Sequence, residues 1–348
     1  MLFRERRKDQ VTLEMMTSKL KRVVAVGLCV AMIFTVAGCG SGRKTEEKKS
    51  NSPSAGLLEI TDEREKAAVE EAKKLVADMD GEPRIIATSP ATVEICERLN
   101  LDLVGVCQSD LHETPEKYKK LPKVGMPMSP DMEKVAALKP DWILSPVSLE
   151  NDLKPKYEAI GTEFGFLNLS SVAGMYRSIA ELGEIFGKEK EAQVLVDEFT
   201  EFYDNFSKKN QGKKKPKVMI LMGLPGSYIV ATENSYVGSL VEMAGGENVY
   251  GGTDQEFLTV NTEDMKTKDP DIILRTAHAM PANVMEMFKK EFKENDIWKH
   301  FDAVKKGKVY DLSYENFGMS ATFDYPKALK ELEPILYPHG KKEAKTQD

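Results

Sequence analysis

The chain has 348 residues, of which 41% are hydrophobic and 30% charged, and its formal net charge is −7. This length allows two domains of ordinary size, each with its own core, and the composition is that of a soluble globular protein. The acidic balance excludes a general nucleic-acid binder, which needs a basic surface.

The N-terminus reads apart from the rest. Arg4, Arg6, Arg7, Lys8, Lys19, Lys21 and Arg22 form a basic start, and an apolar run follows from Val23 to Thr35. The run is too short for a comfortable membrane span. With the small pair Ala37-Gly38 directly before Cys39, it has the form of an export signal. Met15 and Met16 are alternative starts to Met1, because the basic region is long. Removal of residues 1–38 takes away seven basic and three acidic side chains and lowers the net charge from −7 to −11. Residues 39–56 are polar and rich in Gly, Ser, Lys and Glu, the composition of a flexible tether.

From Leu57 to Met79 the apolar residues recur with helical spacing. Arg84 to Thr88 is predicted as a strand, Ser89-Pro90 as the start of a helix running to Leu99, and Leu103 to Cys107 as the next strand. A short helix is expected over Glu133 to Leu138, then a strand over Trp142 to Ser145. Residues 57–170 make a first α/β lobe on this reading. Residues 171–210 contain no Pro and keep a helical pattern through Ile179, Leu182, Phe186, Leu195, Phe199 and Phe206, which predicts one long bridging helix with a break at Gly187. A second α/β lobe, 211–338, opens with a strand from Lys217 to Met222. It continues with a helix from Ser239 that Gly245-Gly246 stops, a strand over Val309 to Leu312 and a final helix over Asp324 to Leu336. The run Lys213-Lys-Lys215 reads as a solvated turn. Cys96, in a helical pattern, and Cys107, at a strand end, are read as two buried free thiols in preference to a disulfide.

One stretch occurs twice. Glu133-Lys-Val-Ala-Ala-Leu-Lys-Pro-Asp-Trp-Ile-Leu144 returns 130 residues later as Glu263-Asp-Met-Lys-Thr-Lys-Asp-Pro-Asp-Ile-Ile-Leu274. The spacing is too long for a solenoid and fits two similar lobes facing across a cleft.

The order of lipobox-like signal, tether, lobe, long helix and lobe resembles the substrate-binding lipoproteins of ABC importers, in the class that binds siderophores, cobalamin and heme. Four segments narrow the resemblance: Gly125-Met-Pro-Met-Ser-Pro130, Leu221-Met-Gly-Leu-Pro-Gly-Ser-Tyr-Ile-Val-Ala-Thr232, Arg275-Thr-Ala-His-Ala-Met-Pro281 and Phe292-Lys-Glu-Asn-Asp-Ile-Trp-Lys-His-Phe301. They are similar to the heme-receptor lipoproteins of iron-regulated surface determinant importers, over about residues 84–338. That resemblance implies an α/β fold of two Rossmann-like lobes joined by one long helix, with heme b as the transported ligand. It also implies Cys39 as the lipidated residue, and so a lipid-anchored monomer on the outer face of the cell membrane. An ABC permease with its ATPase and surface heme-donor proteins are the implied partners.

The family holds iron with one Met and one His, which match Met128 and His278 here; Met126, two residues from Met128, stays open as the alternative. A thioether and an imidazole fill both axial positions of heme iron, which suits carriage rather than oxygen chemistry. His278 also follows a predicted buried strand, where α/β proteins place ligands; His112, His300 and His339 have no such placement. The propionates are expected at helix and strand ends, near Ala91 and Thr92 and near Ser109 and Asp110. Pro90 has no N–H to offer there. Arg275 is a candidate propionate partner or a structural residue, and Tyr228, in the turn from Pro225, a candidate for stacking on the porphyrin. Glu133 and Glu263 match the family's permease-docking glutamates, and as first-turn helix residues they are also favoured by the helix dipole. The ligands do not follow the repeat: the position 130 after Met128 is Leu258, and the position 130 before His278 is Ser148.

Two other classes were weighed. No nucleophile elbow, P-loop, His-Glu-x-x-His or Cys-x-x-Cys occurs, so an enzyme lacks its usual signatures. A bare zinc or manganese carrier would need clustered His and carboxylates, whereas a siderophore or cobalamin carrier of the same fold needs no Met/His pair.

Overall fold

The computed structural model describes residues 2–3, 53–110 and 112–338. Cys39, Met15, Met16, most of the predicted signal and tether, and His339 lie outside the described residues. Where the tether was expected to run to residue 56, a helical turn already forms over Ala55–Leu58. Helix α1 (Glu63–Ala77) follows, capped by the Asp62 carboxylate.

Lobe one is a parallel sheet with helices on both faces. Strand β1 (Ile85–Ala87) leads into α2 (Pro90–Arg98), which begins with Ser89 and Thr92 in a reciprocal capping box and Pro at the first turn. Strand β2 (Leu103–Val106) is followed by a small hairpin, β3 (Gly125–Met126) and β4 (Ser129–Pro130). Then come α3 (Met132–Ala137), β5 (Trp142–Pro146), α4 (Glu150–Ile160) and β6 (Glu163–Leu167). The strand order is β6-β5-β1-β2, with Leu2–Phe3 pairing antiparallel outside β6. Every residue of β5 is buried, as a strand covered on both faces must be.

A helical connection joins the lobes, and it is divided where the sequence places the break. Helix α5 (Val172–Ile185) ends at Phe186, Gly187 takes φ +65°, and α6 (Glu189–Asn210) begins. The two pieces turn back on each other rather than continuing in line. Tyr176 and Phe199 stack with ring centroids 4.5 Å apart, which a straight helix would separate by about 34 Å.

Lobe two contains β7 (Lys217–Leu224), β8 (Ser227–Ala231), α7 (Tyr236–Met243), β9 (Glu247–Asn248) and β10 (Phe257–Leu258). It continues with α8 (Thr262–Thr267), β11 (Ile272–Ala277), α9 (Pro281–Glu294), β12 (Val309–Asp311) and α10 (Tyr325–Leu336). Its order is β10-β8-β7-β11-β12, with β9 pairing the start of β7. Helix α7 starts three residues before the predicted Ser239, because Ser235 supplies the cap.

The sequence repeat is one device used twice. Asp131 and Asn261 cap the six-residue helices α3 and α8, and Val135 and Met265 anchor them inward. Lys139 (φ +47°) and Asp269 (φ +43°) then turn left-handed before the Pro-Asp pair. The carboxylates of Asp141 and Asp271 accept the backbone N–H of Arg84 at 2.8 Å and of Lys217 at 2.9 Å. Their own N–H groups donate to the carbonyls of those same residues, at 2.9 and 2.8 Å. The aspartate thereby sets each central strand in register beside the first strand of its lobe.

One apolar core runs through both lobes. It includes Leu144 and Leu167 of lobe one, Ile179, Leu182 and Phe199 of the helical connection, and Leu240 and Leu329 of lobe two. Smaller cores lie on the other sheet faces, around Ile143 and Phe166 in lobe one and around Ile273 and Trp298 in lobe two. Cys96 and Cys107 are free and buried, and burial pushes their thiols up to about 12 and about 11. Because Phe199 is fully buried in the shared core, Phe199→Ala is expected to cost about 3–5 kcal/mol. Calorimetry should show one transition that moves down as a whole; two transitions, only one of them shifted, would show that the lobes unfold separately.

Candidate functional site

The lobes meet through loops and one helix end. The Leu169 carbonyl, just after β6, accepts the Ala321 N–H at 2.8 Å, and Ser170 Oγ donates to Glu256 at 2.5 Å. The Arg98 guanidinium lies 4.5 Å from the Phe323 ring centroid. The residues expected to bind iron follow the carboxyl ends of β2 in lobe one and β11 in lobe two, where open α/β sheets bind ligands.

Met128 stands at the tip of the β3–β4 hairpin, which the sequence reading did not foresee. Gly125 pairs with Pro130 and Met126 with Ser129, leaving Pro127-Met128 as a two-residue turn. The base is built on glycine: Gly125 has φ +102°, and a Cβ there would lie 2.9 Å from the Asp131 nitrogen. Its carbonyl accepts the Gln108 N–H at 2.7 Å, and Val124 N–H donates to Val106 at 2.9 Å, so the hairpin is fastened to the carboxyl end of β2. Met126 and Met128 are 44% and 68% exposed. A methionine left this open forgoes about 1.5–3 kcal/mol of burial, which a ligand face would return. Of the two, Met128 occupies the turn itself, whereas Met126 is paired in the ladder.

His278 begins the three-residue loop between β11 and α9. Its N–H donates to the Gly223 carbonyl at 2.9 Å. Its Nδ1 is buried and has no hydrogen-bond partner among the described residues. A buried ring nitrogen without a partner carries an unmet polar cost. Two residues on, Met280 takes φ +48° and is 55% exposed. A left-handed non-glycine residue costs roughly 1 kcal/mol, and here it turns the chain from the ligand loop into the helix. The donor set therefore suits an iron porphyrin: exposed thioethers on one lobe, an unsatisfied imidazole on the other. Among the described residues no three His, Cys, Asp or Glu cluster as a bare metal ion would require. Surface cavities of about 670 and 270 Å³ lie elsewhere, and neither is lined by Met128 or His278.

The remaining predicted residues divide. Ala91 is the second residue of α2, in the first turn, where amide N–H groups have no intrahelical acceptor. Thr92 is a correction: it is fully buried, its N–H donates to Ser89 Oγ at 3.2 Å and its hydroxyl to the Ser89 carbonyl at 2.9 Å, so the cap consumes the groups a propionate would need. Ser109 Oγ accepts the His112 N–H at 3.1 Å, and Asp110 is exposed. Arg275 falls on the structural side of its two readings. It is 9% exposed, donates to Asp311 through Nε at 2.6 Å and Nη2 at 3.0 Å, and lies 4.7 Å from the Phe292 ring centroid. Tyr228 packs 5.8 Å from Phe288 and 6.2 Å from Trp298, ring to ring, and its hydroxyl donates to Glu291 at 3.2 Å. Burial and then the Glu291 carboxylate raise its phenol above the usual range. This half-buried packing ties Tyr228 into lobe two, against the free stacking surface expected from the sequence. Glu133 and Glu263 are exposed in the first turns of α3 and α8, and His112 and His300 are exposed as expected.

Glu291 was missed. Its Oε1 accepts from Tyr228, from Asn295 Nδ2 at 2.9 Å and from Trp298 Nε1 at 3.0 Å. The signal was helical spacing over 281–294, with Pro281 in the first turn.

A two-lobed α/β body with candidate ligand residues after the carboxyl ends of strands in both lobes describes a substrate-binding protein. The chain belongs to the periplasmic binding protein family, whose family model matches residues 85–315. It is 43% identical over 258 residues to the high-affinity heme uptake system protein IsdE of Staphylococcus aureus, covering 74% of this chain and 88% of that protein. Among solved structures it resembles an ABC transporter substrate-binding protein from Listeria monocytogenes, at 48% identity and a TM-score of 0.71, covering 74% of this chain and all of that one. It also resembles S. aureus IsdE complexed with heme, at 43% identity and a TM-score of 0.69, with the same coverage. By name these relatives are transport binding proteins, not enzymes.

Tyr228→Phe removes one hydrogen bond from the Glu291 hub and is expected to lower stability by about 1 kcal/mol in urea unfolding, with the absorption spectrum of the hemin-loaded protein unchanged. An altered spectrum at unchanged stability would return Tyr228 to the ligand surface.

Proposed function

We propose that this chain is the heme-binding lipoprotein of an ABC importer, carrying heme b to a membrane permease. The observation that carries the proposal is an exposed, glycine-based methionine hairpin on one lobe, present together with a histidine on the other whose Nδ1 has no partner among the described residues. The 43% identical relative named for heme uptake, and the solved relative holding heme, support it. Met128 and His278 are the axial iron ligands on this reading, with the Ala91 N–H and the loop at Ser109 and Asp110 nearest the propionates. A siderophore or cobalamin cargo would leave the exposed thioether and the imidazole without a task.

Cys39, lipidated, anchors the chain through the tether on the outer face of the membrane. Among the described residues no helix is long and apolar enough to cross it. Surface proteins supply heme, and Glu133 and Glu263, exposed at equivalent places of the two lobes, meet the permease of the importer and its ATPase. The protein works as a monomer.

The test is a hemin titration followed by absorption. A saturating one-to-one complex with a low-spin, six-coordinate spectrum is expected, and His278→Ala or Met128→Ala should each convert it to a five-coordinate or high-spin form. Unchanged spectra in both variants would sink the ligand assignment, and Met126→Ala decides between the two methionines. No saturable binding at all would sink the heme reading.

A further inference from the structure

Gly223 is the residue on which both ends of the His278 loop rest. It lies in β7 between Tyr228 of β8 and Ala277 of β11. Its carbonyl accepts the His278 N–H at 2.9 Å, which fixes the first residue of the loop. Its missing side chain lets α9 press against the strand: a Cβ there would lie 2.2 Å from Val284 Cγ1 and 2.8 Å from Phe288 Cε2. Contacts that short do not occur, so any side chain at 223 must push on Val284 and Phe288, the residues that seat α9 on the strand. The space is filled by the first two turns of α9, which begins at Pro281 directly after the loop.

The far end of α9 is held more firmly than the near end. Glu291 ties it to Tyr228 and Trp298, and Arg275, held by Asp311, lies against Phe292. Displacement at Val284 therefore falls on the near end, where only His278, Ala279 and the left-handed Met280 separate strand from helix.

We propose that Gly223 is the positioning residue for the His278 imidazole: by carrying the loop on its carbonyl and the helix on its bare Cα, it sets where the imidazole meets the iron. This rests on the heme reading for the identity of the ligand, but not for the geometry of the loop. Outer partners of metal ligands characteristically change metal affinity about 10- to 100-fold when altered.

The test uses the whole exported chain in two arms. Without heme, hydrogen exchange at the His278 amide reports the bond to Gly223. With hemin, the absorption spectrum and the rate of transfer to a heme-scavenging globin report the ligand. Gly223→Ala is expected to speed amide exchange, move the spectrum toward high spin and hasten heme loss about 10- to 100-fold. Adding Val284→Ala, which removes the closest clashing atom, should restore all three toward the parent values, while Val284→Ala alone leaves the spectrum unchanged. Parent-like exchange and spectrum in Gly223→Ala overturn the proposal, as does a folded double variant that restores neither. If Gly223→Ala does not fold, Val284→Leu crowds the same contact from the helix side; it should shift exchange and spectrum in the same direction, and no shift overturns the proposal. A parent chain that fails to bind hemin would remove the heme reading alone, because amide exchange still decides whether Gly223 holds the loop.

Discussion

The separation of the two lobes is set by one continuous apolar core, and the site depends on that separation. Tyr176, Phe199, Tyr203, Phe202 and Tyr325 form its aromatic centre, with Phe199 stacked on both Tyr176 and Tyr203 and in edge contact with Tyr325. These rings come from both arms of the helical connection and from the last helix of lobe two. Swinging lobe two away from the helical connection would open this packing, and close-packed interiors resist partial opening. The site proposed here, with Met128 and His278 on different lobes, needs such a frame. Axial bonds tolerate little variation in length, so a frame that held the lobes loosely would hold heme loosely.

The repeated unit serves the scaffold, and the ligands lie outside it. Asp141 and Asp271 perform one task in the two sheets, registering a central strand against its neighbour. The ligand-bearing parts are not copies of each other. Lobe one offers a methionine from a hairpin fastened beside β2; lobe two offers a histidine from the end of β11, and the position matching it in lobe one is Ser148. Glycine is the common feature at the two ligand supports. Gly125 makes the base of one and Gly223 of the other, and each gives its carbonyl to hold a neighbouring loop. The duplicated fold supplies the scaffold, and on the proposed assignment specificity comes from two unrelated loops set on it.

Much of the scaffold was legible because it obeys local rules. The Ser89-Pro90 cap, the Gly187 break, the Pro-Asp turns and the strands from Arg84, Leu103 and Lys217 announce themselves through turn chemistry and hydrophobic period. The fold-back at Gly187 was not legible: a glycine says that a helix stops, and only tertiary packing of Tyr176 on Phe199 says where the next one goes. The β3–β4 hairpin was missed because two-residue strands have no period to read. Met128 and His278 were singled out through motif resemblance, with strand-end placement adding weight for His278 alone. The peripheral residues were read least well. Thr92, Arg275 and Tyr228 carry the right chemistry for a propionate or a porphyrin face, but the structure spends their polar groups on a cap, on Asp311 and on Glu291. Sequence shows which groups exist, and whether they are already satisfied is a tertiary fact.

If the shared core works as a frame, the lobes keep one separation whether or not heme is bound. The most direct measurement of this is the distance between spin labels on Glu133→Cys and Glu263→Cys, exposed equivalent positions on the two lobes. Cys96 and Cys107, buried and with thiols raised by that burial, stay unlabelled. The distance distribution is predicted to be single and to change by no more than about 2 Å when hemin binds. A broad distribution that narrows and shortens by several ångströms on loading would show that the lobes close around the ligand and would contradict the account.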